Sequence, residues 1–217
     1  MAIGTLIERR NLICASHLDM KISMPRLKAP QRKEQLVEVA TRIFARLGYN
    51  ATTTHAIADA AGVTEPILYR HFKGKQEMFV AITRQMSKQT LSYWHELVAA
   101  EPTPEQQIRR IAREFPDHQR RLANAYNVIH GALATSRDRK VLAVLKEHYS
   151  QTEEFFVDII RRGQEAGQFR KDLDPLVPAW QLINIGIGYS MVSLNLPALD
   201  RFQPTEAMEF ILRAMKA

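Results

Sequence analysis

The chain has 217 residues, 46% of them apolar, and a formal net charge of +7. That length fits one large domain or two small ones and supplies enough apolar side chains for a core. The single cysteine, Cys14, excludes an intramolecular disulfide and a cysteine-based metal cluster, and it fits a reducing cytoplasm.

Ala, Leu, Glu, Gln, Arg and Met dominate, and alternating Val/Ile/Thr stretches are scarce, so the expected fold class is all-α. Residues 1–30 lack helical periodicity and read as a flexible tail, with Met24 a second candidate start. A first helix is predicted from about Gln31 to Leu47, because Leu36, Ala40, Ile43, Phe44 and Leu47 share one face. Gly48 then ends it in the left-handed conformation. Thr53 or Thr54 caps a short helix, His55 to Ala61, with Ile57, Ala58 and Ala61 inward. Gly62 stops that helix. Thr64 caps the next, Glu65 to about Phe72, with Pro66 in the first turn, where the missing N–H costs little. Its inward face is Val63, Ile67 or Leu68, and Phe72. After the turn at Gly74, a long helix from Gln76 to Ala99 places Phe79, Ile82, Met86, Tyr93 and Leu97 on one side. Thr103 is the expected cap of the next helix. Further helices are predicted at Glu105–Phe115, Asp117–Thr135, Arg137–Ala166, Pro175–Leu196 and Thr205–Lys216.

The run from Pro175 to Leu199 carries no charge over 25 residues. Gln181, Asn184, Asn195, two serines and three prolines within it favour a covered helix over a membrane span. No membrane partner is expected.

Charge is distributed unevenly. Through Lys75 there are 12 Lys/Arg against 6 Asp/Glu, and beyond it 18 against 17. A basic N-terminal module on a neutral body suits a polyanion, nucleic acid being the simplest. The two short helices around Ala61-Gly62-Val63 form a helix-turn-helix pattern. Small Ala58 and Ala61 permit close approach, and Gly62 supplies the corner. The second helix then turns outward Thr64, Glu65, Ile67 or Arg70, Tyr69 and His71, followed by Lys73 and Lys75. Such groups suit phosphate oxygens and base edges.

The stretch GYNATTTHAIADAAGVTEPILYRHFKGKQEMF, Gly48 to Phe79, resembles the DNA-binding signature of TetR-type transcriptional regulators. The matching elements are Gly48, Thr52 to Thr54, Ile57-Ala58, Ala61-Gly62-Val63, Leu68-Tyr69, Phe72 and Lys75. The close match covers about Lys33 to Phe79. The resemblance implies a helix-turn-helix domain over 31–75 and a helical ligand-binding and dimerisation domain over 76–217. It implies that Thr54 caps the second helix at a phosphate and that Thr64, Glu65, Pro66 and Ile67 meet the groove. Tyr69 and His71 would contact phosphate or bases, and Lys75 a phosphate. Glu65 is a departure from an all-attractive surface: it either accepts from a cytosine amino group or caps the helix. Arg26, Lys28, Arg32 and Lys33 either reach the DNA or form a solvated tail.

The implied function is a cytoplasmic, ligand-responsive repressor, binding a double-stranded palindromic operator as a homodimer and released by a small hydrophobic effector. The dimer surface would be the Pro175–Leu196 and Thr205–Lys216 helices. Candidates for the effector pocket are Phe115, Tyr126, Asn127, His130, Phe155, Trp180 and Asn184, which mix apolar bulk with polar tips. Glu114 and His118 have helical metal-ligand spacing, but Pro116 is expected to break that helix. No cofactor, metal or catalytic motif is expected, and hence no enzyme. The competing reading is a helical carrier or enzyme with a non-essential DNA-binding module.

Overall fold

Leu36, Ala40, Ile43 and Phe44 are buried as expected on helix α1 (Ala29–Ala51), together with Val37 and Val39, whereas Leu47, expected on the same face, is 43% exposed. The computed structural model describes residues 28–196 and 203–217. Arg26 and nearly all of the expected tail therefore lie outside the described residues, as does the end of the charge-free run. Within α1, Gly48 takes φ 77°, so the helix is broken where a left-handed residue was expected and then resumes briefly. Helix α2 (Thr54–Ala60) and helix α3 (Glu65–Tyr69) come next. α3 is shorter than expected, although the amides of His71 and Phe72 still bond back to Leu68 O and keep Phe72 in the core.

Helix α4 (Lys75–Ala99) runs from this module into the body. Its inner seam differs from the expected one: Trp94 and Val98 are buried, whereas Tyr93 and Leu97 are half-buried. The seam passes through Thr83, Ser87 and Thr90, which are buried although polar. Thr83 and Ser87 donate to carbonyls one turn back, which satisfies those hydroxyls inside the helix.

The body adds α5 (Pro104–Arg121), α6 (Ala123–Thr135), α7 (Arg139–Glu165), α8 (Leu176–Asn195) and α9 (Pro204–Met215). Thr103 caps α5 by accepting from Gln106 N. The expected break at Pro116 does not occur: α5 continues through it to Arg121. Interior proline costs a helix about 3 kcal/mol. Here Ile111, Ala112 and Phe115 before it and His118 and Gln119 after it are all buried, and that packing holds the helix together. α4 packs on α7, α5 and α1, α8 lies against α7 and α9, and α1 leans on α6. No helix among the described residues is long and apolar enough to cross a membrane.

Candidate nucleic-acid interface and cavity

The corner between α2 and α3 is made by Gly62, at φ 64°, and closed by the amide of Val63 donating to Ala58 O at 3.0 Å. Thr53 caps α2, its hydroxyl accepting from Ala56 N at 3.1 Å. Leu68 and Phe72 are almost wholly buried and set the rotation of α3. Each such side chain stabilises by roughly 1.5–3 kcal/mol. The opposite face is thereby fixed outward. Thr64, Pro66, Tyr69 and Arg70 are exposed, and Ile67 and His71 are half-buried beside them. Tyr69 is 50% exposed.

Glu65 has a role that local sequence does not show. Its Oε1 accepts from Thr54 Oγ1 at 2.9 Å, and Thr54 Oγ1 also lies 3.1 Å from the Tyr69 hydroxyl. Thr54 has one proton, which goes to Glu65, so Tyr69 is the donor to Thr54. The three residues tie the start of α2 to both ends of α3. Glu65 neither caps its own helix by a side-chain bond nor stands free.

Lys75 is placed otherwise than expected of a phosphate ligand. Its ammonium donates to the carbonyls of Tyr49, Asn50 and Thr52, each at 3.0 Å, and lies 4.9 Å from the Tyr49 ring centroid. All three donors are engaged. Lys75 thus bolts the start of α4 to the end of α1. One residue on, Gln76 Nε2 donates to Asp138 Oδ2 at 2.5 Å, and Asp138 caps α7. Lys33 lies over Phe72, 5.4 Å from its ring centroid.

A small cavity of about 40 Å³ lies inside the body. It draws Thr90 and Trp94 from α4, Phe115 from α5, and Tyr126 and His130 from α6. α7 contributes His148, Tyr149 and Thr152, and α8 contributes Ile183 and Gly186. Of the seven expected pocket residues, Phe115, Tyr126 and His130 line it. Phe155 packs behind the wall against Trp94 and Phe156. Trp180 stacks on Tyr149 and donates to Glu153 Oε2 at 2.6 Å, outside the cavity. Asn184 is exposed and Asn127 half-buried, both away from the lining. His148 and Tyr149, from α7, line the cavity although nothing in the local sequence marks them as facing a void.

Burial lowers the ionisation of three imidazoles. His130 and His148 are pushed down to about 4, His148 also by its neighbour His130, and His118 reaches about 4 by burial and then by Arg121. Tyr149 is pushed up to about 12 by burial. At neutral pH the cavity therefore holds neutral groups. Ser87 Oγ lies 2.7 Å from His148 Nδ1, and His118 Nε2 lies 3.1 Å from Thr90 Oγ1, so both histidines are bonded to α4. Pro116 leaves Glu114 and His118 on one continuous helix, but Glu114 accepts from Tyr93 and His118 is turned to Thr90.

A second surface is notable for what it lacks. Val177, Gln181, Asn184, Gly188, Met191 and Asn195 form an exposed, uncharged stripe along α8. On α9, which packs against α8, Phe210 is 72% exposed.

The family model described as bacterial regulatory proteins, tetR family, matches residues 36–82. The HTH-type transcriptional repressor KstR2 of Mycobacterium tuberculosis is 30% identical over 146 residues, spanning 66% of this chain and 72% of that protein. In structure, the ketosteroid transcriptional regulator KstR2 of M. tuberculosis superposes with a TM-score of 0.64 at 20% identity, over 88% of this chain and 97% of that one. The fatty acid degradation regulator FadR from Bacillus halodurans gives 0.74 at 15% identity, over 87% and 95%.

Proposed function

The chain belongs to the TetR family of bacterial regulatory proteins, and from that premise we propose a repressor that binds a palindromic operator as a homodimer and is released by a small hydrophobic effector. The observation that carries this reading is the outward face of α3. It is held in one orientation by Leu68 and Phe72 and presents Thr64, Pro66, Ile67, Tyr69 and His71. These residues meet the DNA groove and its phosphates. Thr54 and Glu65 support them from behind through the Tyr69 hydroxyl. Lys28, Arg32 and Lys33 flank the module with positive charge.

The uncharged stripe of α8 and the exposed Phe210 form the dimer surface, with α8 and α9 of two copies packed as a four-helix bundle. The cavity is the effector site. Its walls reach α4 directly at Thr90 and Trp94 and through Ser87–His148, and α4 continues to the Lys75 bolt on α1. An effector that prefers a wider cavity shifts α4 and the spacing of the two modules, which lowers operator affinity by population shift. The names of the two structural relatives, which refer to ketosteroid and to fatty acid degradation, support an effector rich in hydrocarbon. Selection of fragments from a random double-stranded DNA pool by the purified protein tests the reading. Enrichment of a palindrome supports it, and a pool that stays unenriched opposes it.

A further inference from the structure

The cavity's lining contains no Lys, Arg, Asp or Glu among the described residues. Its polar end gathers His130, Tyr126, His148 and Tyr149: the rings of Tyr126 and His130 are 5.8 Å apart and those of His148 and Tyr149 4.9 Å. Two atoms there are buried without a hydrogen-bond partner, Nδ1 of His130 and the hydroxyl of Tyr149. His130 itself is only 8% exposed. Unmet buried polar atoms cost free energy until something satisfies them. Tyr126, by contrast, is engaged with Thr90, and His148 with Ser87. The remainder of the wall is aromatic and aliphatic.

Resting on the effector-site reading above, we propose that the cavity selects an uncharged, mainly hydrocarbon effector carrying a hydroxyl or carbonyl group, which His130 and Tyr149 recognise. A neutral imidazole offers one donor and one acceptor, and a phenol offers both. A ligand hydroxyl or carbonyl completes them without bringing charge into the site. A carboxylate meets no cation in the lining, and burying an unpaired charge costs far more than burying a bonded neutral group. An aliphatic or aromatic hydrocarbon without oxygen leaves both atoms unmet. A cavity of about 40 Å³ is smaller than such a ligand, so entry requires the walls to part. Phe115 packs closely against the bare backbone of α8 at Gly186, where an added Cβ would lie 3.3 Å from its Cζ.

The test uses three probes of one skeleton, 2-naphthol, naphthalene and 2-naphthoate, with the full chain at pH 7.5. Binding is measured by calorimetry, and release of selected DNA by fluorescence anisotropy. The expected order is naphthol, then naphthalene, then naphthoate, with naphthol at least about 10-fold tighter than naphthoate. Tyr149→Phe keeps the ring and its stacking on Trp180, and it should lower the naphthol-to-naphthalene ratio by roughly 3–10-fold while leaving naphthalene binding intact. His130→Leu should do the same. Naphthoate binding best, a ratio unchanged in both variants, or no binding of any probe overturns the proposal. Naphthol that binds with the expected selectivity but leaves DNA bound upholds the ligand class and sinks the effector reading.

Discussion

Thr54 and Glu65 lie 11 residues apart in sequence, yet the Thr54 hydroxyl donates to Glu65 Oε1 at 2.9 Å and receives the Tyr69 hydroxyl at 3.1 Å. An acidic residue on a surface proposed to meet phosphates reads as a liability. Here it orients an exposed tyrosine. Glu65→Ala should remove charge repulsion and so raise affinity for random DNA, roughly 2–5-fold. It should also release Tyr69 and lower the ratio of specific to random binding by roughly 10-fold. Anisotropy titrations with selected and scrambled duplexes measure both. An unchanged ratio would show that the contact is incidental.

Lys75 gives a sharper division. With its three donors on the carbonyls of Tyr49, Asn50 and Thr52, Lys75→Ala should destabilise the chain by about 1–3 kcal/mol, a fall of roughly 3–10 °C in Tm. The slope of log affinity against log salt should hardly change. A phosphate ligand would instead reduce that slope by about one and leave Tm alone.

Stability should depend on pH through the buried histidines. Each ionises near pH 6.5 when unfolded, whereas burial holds His118, His130 and His148 near 4 in the folded chain. Between those values the unfolded chain binds more protons, so acidification favours unfolding. The effect is absent above about pH 7 and stops growing below about pH 4. Tm should fall by roughly 5–10 °C from pH 7 to pH 5, and His148→Gln should flatten that slope. A Tm constant over this interval would mean that the imidazoles reach water in the folded state.

The uncharged α8 stripe and Phe210 predict a dimer of twice the 24.9 kDa chain mass. Met191→Glu combined with Phe210→Glu should yield a monomer by light scattering and reduce specific DNA binding by roughly 100-fold or more, since one half-site is lost. A variant that stays dimeric places the interface elsewhere.

Much of the fold was legible in the sequence. Among the described residues, the helix count, the corner at Gly62 and the burial of Leu68 and Phe72 stem from glycine position and apolar spacing. What escaped had three causes. Pro116 carries a strong local signal, but burial on both sides of it overrode that signal. The α4 seam runs through Thr83, Ser87 and Thr90, so apolar spacing alone points one position off, to Tyr93 and Leu97 rather than Trp94 and Val98. The side-chain bonds of Thr54 with Glu65, Lys75 with α1 and Ser87 with His148 join positions far apart in the chain, and no periodicity announces them. For the same reason only three of the seven expected cavity residues line it: bulk and polarity mark a candidate, but only the packing of six helices decides which side of a wall it occupies.

Footprinting of the protein on duplexes selected from a random pool tests the central claim most directly. A dimer carrying two α3 helices should protect two inverted half-sites centred about one DNA turn apart, roughly 34–36 Å, or a multiple of it. Protection should fade steeply as salt rises, and it should vanish with Tyr69→Ala. Protection without symmetry or sequence preference, or protection that survives Tyr69→Ala unchanged, would contradict the account.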